Sequence, residues 1–418
     1  MHAAAAARRR RTRSVLALGV AVGLFVPVYF ALLADTTPLA WDFRAYRHAA
    51  VLAAAGDPFV GAWAPVGHGQ WVYPPVVVLG FLPYAALPVW PAFVVQVGVG
   101  VAASLVVAGV TVTAIERETG RLPCRDRAAV TAFFLASTYS AAVFGQGQVD
   151  PVVVLALAAA VCWVHTGRST AAGVAAGAAA LVKLFPVVVG VYFLRVRAYR
   201  AVAAATATGV AGLAVGVFAF GVDAHRRYLH LILHERSRLD AFVGGADPDL
   251  SALSLARPLG AFAPDLDPAL YPLVALAALA PVAALAYVDV TTVADRAAAL
   301  LATVGVALLV SPGSNAHHVF YLYPPLVVLL YAADGLPHRL LVAGTAVLLC
   351  PVQPQVVADV LAVGGASPAV RAALVAPLAD ALSAVSVPLV GVLVLLAGCA
   401  AHALGRRPGA APTTTFGD

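Results

Sequence analysis

"RRRRTRSVLALGVAVGLFVPVYFALL", residues 8–33, decides how the rest of the chain is read. Five arginines lead into residues 15–33, an apolar run with no charge in it. A helix rises 1.5 Å per residue and a bilayer core is roughly 30 Å thick, so a run of this length suits a crossing. No small-residue cleavage site follows, and the run reads as an uncleaved first transmembrane helix. The arginines place residues 1–13 in the cytoplasm by the positive-inside rule. Composition points the same way: of 418 residues 62% are hydrophobic and 11% charged, where a soluble domain carries about 25% charged residues. The expected fold is an all-α polytopic membrane protein of about twelve segments within residues 14–404. Residues 405–418 are expected to be a disordered cytoplasmic tail.

Outward from that helix, residues 35–73 form a first outer loop with a helix lying along the membrane surface. The apolar stretch at residues 74–88 is short of the roughly 20 residues a crossing needs, and it reads as a dip that returns to its own side. The arginine-rich loop at residues 116–127 then falls in the cytoplasm. Residues 171–194 have basic flanks on both sides of "LVKLFP" and read as a hairpin with Lys183 near its tip, a single kinked helix being the rival. Residues 222–269 form a second outer loop. In this threading Asp42, Gln148, Asp150, the second loop and "HH" at residues 317–318 share the outer side, and both termini are cytoplasmic.

Charge inside a membrane protein is costly, so the few charged residues carry the functional information. Lys183 is the sole lysine beside 25 arginines, and in mid-hairpin it needs a partner. Asp42 opens "DFRAYRHAA" where the first helix leaves the bilayer. It suits capping the next helix, a common role for Asp, and also suits a general base. Arg44 and Arg47 suit phosphate or simple snorkelling. Tyr46 lies one helical turn after Asp42 and also suits an aromatic belt. Gln148 and Asp150 sit in the turn "GQGQVD", where Asp150 also suits a helix start. Arg236 lies in the alternating charges of "HERSRLD", which read as a solvated surface helix. His317 and His318 end an outgoing segment, and adjacent side chains diverge on a helix, so one of the two is expected to face the site. The cysteines show no paired spacing, the histidines have no carboxylate at ligand spacing, and no metal or cofactor is expected. The net charge of +6 is membrane-flanking arginine and points to no nucleic acid.

Five motifs in order, "DFRAYRHAA", "YPP", "GQVDPVV", "LVKLFPVVV" and "SPGSNAHHVFYLYPPL", resemble the polyprenol-phosphate-mannose-dependent mannosyltransferases of glycosyltransferase family 87, within the GT-C superfamily. The resemblance runs over roughly residues 14–335. It departs from the family at "DPDLS" around Ser251 and at "SNAHH". It implies a GT-C bundle whose active site lies on extracytoplasmic loops of the plasma membrane. It also implies inverting sugar transfer from a polyprenyl- or dolichyl-phosphate donor to a glycolipid or glycan hydroxyl. The family's carboxylate falls on Asp42 as base. Arg44, Tyr46, Gln148, Asp150, Lys183, Arg236, His317 and His318 are then candidates for holding donor and acceptor. A transporter or flippase is the competing reading; it calls for charges at helix centres and two related halves, and no internal repeat is visible. A membrane scaffold would need none of these groups.

Overall fold

The computed structural model describes residues 2–34, 39–65, 68–235, 239–250, 252–350 and 352–405. Arg236 and Ser251 lie outside these residues. The described chain is almost wholly helical: α1 His2–Leu32, α2 Trp41–Ala55, α3 Leu82–Ala85, α4 Val89–Thr119, α5 Cys124–Ala136, α6 Thr138–Gln146, α7 Asp150–His165, α8 Ser169–Val182, α9 Val189–Arg195 and α10 Tyr199–His230. Then follow α11 Ala256–Phe262, α12 Tyr271–Ala286, α13 Val293–Val310, α14 Tyr323–Ala332, α15 Gly335–Leu349, α16 Pro354–Val363, α17 Pro368–Ala384 and α18 Val387–Leu404. One short antiparallel hairpin, β1 Trp63–Ala64 with β2 His68–Gln70, was not anticipated.

Among the described residues six helices are long and apolar enough to cross a membrane, and up to eight spans result if α5–α6 and α15–α16 each count as one bent span. Four further apolar helical stretches, Asp150–His165, Ser169–Val182, Phe185–Arg195 and Ala316–Ala332, are shorter. Residues 74–88 hold a 3-10 helix, Pro75–Gly80, and the single turn α3. Prolines at the starts of both allow no long hydrogen-bonded ladder there. The stretch 171–194 breaks at Lys183, whose backbone is extended, with α8 before it and a 3-10 turn and α9 after.

The first loop is a folded platform. Helix α2 buries Phe43, Tyr46 and Ala50, positions at helical spacing on one face. Tyr46 packs edge-on against Trp71 and Tyr73, and Phe81 against Trp71. Such contacts add about 0.5–1.5 kcal/mol each beyond area burial, enough to hold α2 in one orientation on the loop.

Helix direction sorts the two ends of the bundle. α7 starts at Asp150 and ends at His165; α8 returns toward Lys183; α13 ends just before the histidines. The opposite end is basic. There Arg8 pairs with Asp334, Arg13 with Asp126 at 3.4 Å and Arg127 with Glu116 at 2.6 Å. Arg195 caps the carbonyls of Tyr287 and Val288 at the end of α12.

Candidate active site

The site is assembled from four chain segments that meet at one end of the bundle. Asp42 lies in the first turn of α2, where the helix dipole favours a carboxylate. It does not cap that helix: the cap position is Ala40, in a left-handed conformation with no side-chain bond. Instead Gln148 Nε2 donates to Asp42 Oδ2 at 2.7 Å. The other end of the amide, Oε1, accepts from the Tyr46 hydroxyl at 2.8 Å, and Tyr46 meets the Tyr73 hydroxyl at 2.8 Å. Those bonds fix which way the amide points, since only the oxygen can accept from the phenol.

Gln148 is itself held from behind. Gln96 Nε2 approaches its carbonyl at 3.4 Å, and Tyr84 donates to Gln96 Oε1 at 2.9 Å. Gly147, which ends α6 at φ 69°, makes the turn possible. A Cβ there would stand 2.6 Å from Phe43 Cβ. The glycine is therefore demanded twice, by backbone conformation and by space.

Lys183 joins this arm to a second one. Its Nζ lies 2.5 Å from Asp150 Oδ1 and 3.5 Å from Gln148 Oε1. Asp150 is fully buried, and Tyr321 donates to the same Oδ1 at 2.6 Å. Like Asp42, Asp150 does not act as a cap; the cap position of α7 is Val149. His317 Nε2 stands 4.0 Å from Asp150 Oδ2, an oxygen with no hydrogen-bond partner.

His318 Nε2 stands 3.4 Å from Lys183 Nζ. The backbone N–H of Asn315 donates to His318 Nδ1 at 3.0 Å. Nδ1 is therefore the acceptor nitrogen, and the ring proton sits on Nε2. Two donors, an ammonium and an imidazole N–H, thus face one another. An anionic oxygen within reach of both nitrogens would satisfy the pair. Phe185 packs against Tyr321 and His318 and keeps this arm dry on one side.

Both histidines reach the cluster, contrary to the expectation that one would turn away. They sit at the start of a 3-10 turn, Ala316–Leu322, and Lys183 and Asp150 form a pair wide enough to receive one ring each. Arg44 lies over the Trp90 ring at 5.2 Å, and Arg47 Nε donates to the Leu87 carbonyl at 2.9 Å, so Arg47 anchors the α3–α4 turn. In the second loop, residues 231–235 form a π turn and residues 239–242 a 3-10 turn; the middle of the surface helix expected from "HERSRLD" lies outside the described residues. Sequence reasoning missed Tyr73, Gln96 and Tyr321. Tyr73 is the first residue of "YPP" and Tyr321 lies three residues after "HH", inside motifs the sequence singles out; Gln96 is an amide in an apolar helix, itself a visible polar signal.

Burial first, and then the neighbouring Tyr73, push the Tyr46 phenol well above its usual range. Burial lifts Tyr73 to about 12, against the downward pull of Lys183. Both phenols therefore remain protonated donors at neutral pH.

The family model of glycosyltransferase family 87 matches residues 71–312. The chain belongs to glycosyltransferase family 87. Within that match lie Gln148, Asp150 and Lys183; Asp42 precedes it and the two histidines follow it. The chain is also 30% identical, over 267 residues, to the polyprenol-phosphate-mannose-dependent alpha-(1-2)-phosphatidylinositol pentamannoside mannosyltransferase of Mycolicibacterium smegmatis. That similarity covers 62% of this chain and 61% of the relative.

Proposed function

We propose that this family member is a membrane glycosyltransferase. It moves mannose from a polyprenyl-phosphate donor to a hydroxyl of a glycolipid or glycan, with inversion at C1. The relative's name supports mannose as the sugar and a glycolipid as the acceptor. The observation that carries the reading is the continuous polar path from Asp42 through Gln148 to Lys183 and His318. A carboxylate at one end and two anion-seeking donors at the other are what glycosyl transfer from a phosphate needs.

In this reading the acceptor hydroxyl attacks C1 from the Asp42 side and its proton passes to the Asp42 carboxylate. The C1–O bond to phosphate breaks, and its electron pair leaves with the phosphate. Lys183 and the His318 Nε2–H receive that charge. They are preorganised by Asp150 and the Asn315 N–H, so little rearrangement is needed as charge develops. Gln148 orients the base, and Tyr46 and Tyr73 orient Gln148. Arg44 and Arg236 remain candidates for contacts with donor or acceptor. The site faces the outside of the plasma membrane, the arginine-rich ends and both termini face the cytoplasm, and about twelve segments, some of them short, make up the bundle.

The test is transfer by purified protein in liposomes given polyprenyl-phosphate mannose, with glucose and arabinose donors alongside and host lipid extract as acceptor. The expected result is a labelled glycolipid from the mannose donor. Absence of product from all three donors, with protein shown to be folded, would overturn the reading.

A further inference from the structure

A second feature lies at the basic end of the bundle. A partly open pocket, with about 1020 Å³ of empty space when the adjoining open solvent is included, lies between α4, α7, α13 and α14. Its walls are apolar side chains such as Val154, Leu157 and Val304, and Tyr321 lies among its lining residues. At the other end it is lined by Arg117, His165 and Arg296. Three cationic or titratable groups at the mouth of an apolar slot make a pattern distinct from the polar cluster around Asp42.

Dimensions and charge define an occupant. Val154 and His165 are eleven residues apart on α7, about 16 Å along a helix axis. Val293 and Val304 have the same separation on α13. That depth is half of a roughly 30 Å hydrocarbon core, which is the reach of one leaflet. An acyl chain entering from the basic end would lie along these walls with its phosphate at the level of the arginines. Arg296 is poised for such a contact: one terminal nitrogen is used on the Thr291 carbonyl at 2.9 Å, while its buried Nε has no partner. Of the carboxylates on the same elements, Asp150 pairs with Lys183, Glu116 pairs with Arg127, and Asp295 holds Thr292 and His402; Glu118 accepts from the N–H of the lining residue Val293 at 3.2 Å and so stands beside the cavity. Among the described residues neither Arg117 nor Arg296 forms an ion pair.

We propose that this cavity binds an anionic phospholipid of the leaflet opposite the Asp42 site, one acyl chain filling the slot and the phosphate bridging Arg117 and Arg296. A guanidinium pair suits a phosphodiester, which offers two oxygens to fork-shaped donors. The slot is one side chain from the transfer cluster, since Tyr321 also donates to Asp150. A bound chain therefore supports Tyr321 from below. The proposal rests on the membrane-spanning reading of the fold and is independent of sugar transfer.

The test is native mass spectrometry of the full chain in detergent, titrated with phosphatidylglycerol or phosphatidylcholine bearing the same acyl chains. Wild-type protein is expected to hold phosphatidylglycerol about tenfold more tightly, a difference of ~1.4 kcal/mol. Arg117→Gln, at an exposed position, should reduce that preference, and Arg117→Gln with Arg296→Gln should abolish it. Ala158→Phe, placed on the wall, should weaken both lipids alike. Equal binding of the two lipids by wild type, or an unchanged preference in the double variant, would overturn the proposal. So would displacement of the lipid by polyprenyl phosphate whose own binding is lost in Lys183→Met, because the slot would then belong to the donor's chain. Binding is read without any transfer reaction, so failure here leaves the transferase reading untouched.

Discussion

Lys183 and Asp150 form a buried ion pair, with side chains 10% and 0% exposed. Removing one partner of such a pair strands the other charge and costs about 3–5 kcal/mol. Lys183→Met is therefore expected to lower the unfolding midpoint in detergent sharply. Lys183→Met with Asp150→Leu should recover most of that stability and still transfer no sugar. Recovery of stability separates the structural role of the pair from its chemical one. Gln148 acts through Asp42 rather than on the substrate. A hydrogen bond to a charged group contributes about 1.5–3 kcal/mol, so Gln148→Ala should lower kcat by roughly ten- to a hundredfold. The donor KM should change little, because the amide orients the base and does not hold the lipid. Steady-state kinetics in liposomes would show the split. Lys183 was conspicuous in the sequence because it is the one lysine and sits in an apolar stretch. The role of Gln148 was harder to see, since a glutamine in a turn has many uses and its partner is 106 residues away. Both capping alternatives, for Asp42 and Asp150, depended on backbone conformation that sequence leaves open; in the structure other residues take the cap positions.

At the scale of elements, Lys183 is placed by the packing of α8 on α10. A Cβ on Gly173 would stand 2.2 Å from the Ala201 carbonyl oxygen, and one on Gly177 would stand 2.6 Å from that of Ala205. Small residues four apart let the two backbones touch, which is how membrane helices associate where water gives no drive. Gly177→Leu is expected to cost about 1–3 kcal/mol and to lower transfer, because Lys183 follows directly on the displaced helix. Gly190→Ala meets open space and should change neither thermal stability nor transfer. The break at Lys183 was legible from "LVKLFP", since Pro186 has no N–H to give the carbonyl of Val182 four residues back, where α8 ends. The hairpin β1–β2 was not, because two and three residues are too few to show alternation. Helices α16 and α17 were missed for another reason. They carry apolar residues on exposed faces, among them Val360, Val363 and Leu374, so they resemble neither a buried core helix nor a full crossing.

Across the whole molecule, the Asp42 cluster sits at the end opposite the arginines of residues 8–13 and 117–127. Helices α7 and α8 have 16 and 14 residues, about 24 and 21 Å, shorter than the roughly 30 Å core. In the proposed orientation their arginine-flanked ends meet one interface and their other ends stop inside the membrane thickness, which would put Asp150 and Lys183 below the surface, within lateral reach of a lipid-linked phosphate. The orientation has a direct check in a native residue. Cys124 is exposed, whereas Cys399 is buried, and Cys124 lies in the arginine-rich loop. A membrane-impermeant maleimide should label Cys124 in right-side-out vesicles only after permeabilisation. An introduced Asp57→Cys, in the first loop, should label without it. The reverse pattern would invert the topology. The arginine-rich end of the bundle was legible from arginine positions alone. The meeting of four segments at the other end was not, because it depends on pairings far apart in the chain, such as Gln148 with Asp42 across 106 residues.

The most direct measurement of the central claim is the rate of mannose transfer by Asp42→Asn beside wild type, both reconstituted and both shown to bind polyprenyl-phosphate mannose. The amide keeps the shape of the carboxylate and cannot take the proton. A loss of about 10²–10⁴-fold with donor binding retained is the expected result, the range general-base catalysis supplies. Transfer at the wild-type rate would contradict the account, since the path from Asp42 to Lys183 would then have no base at its end.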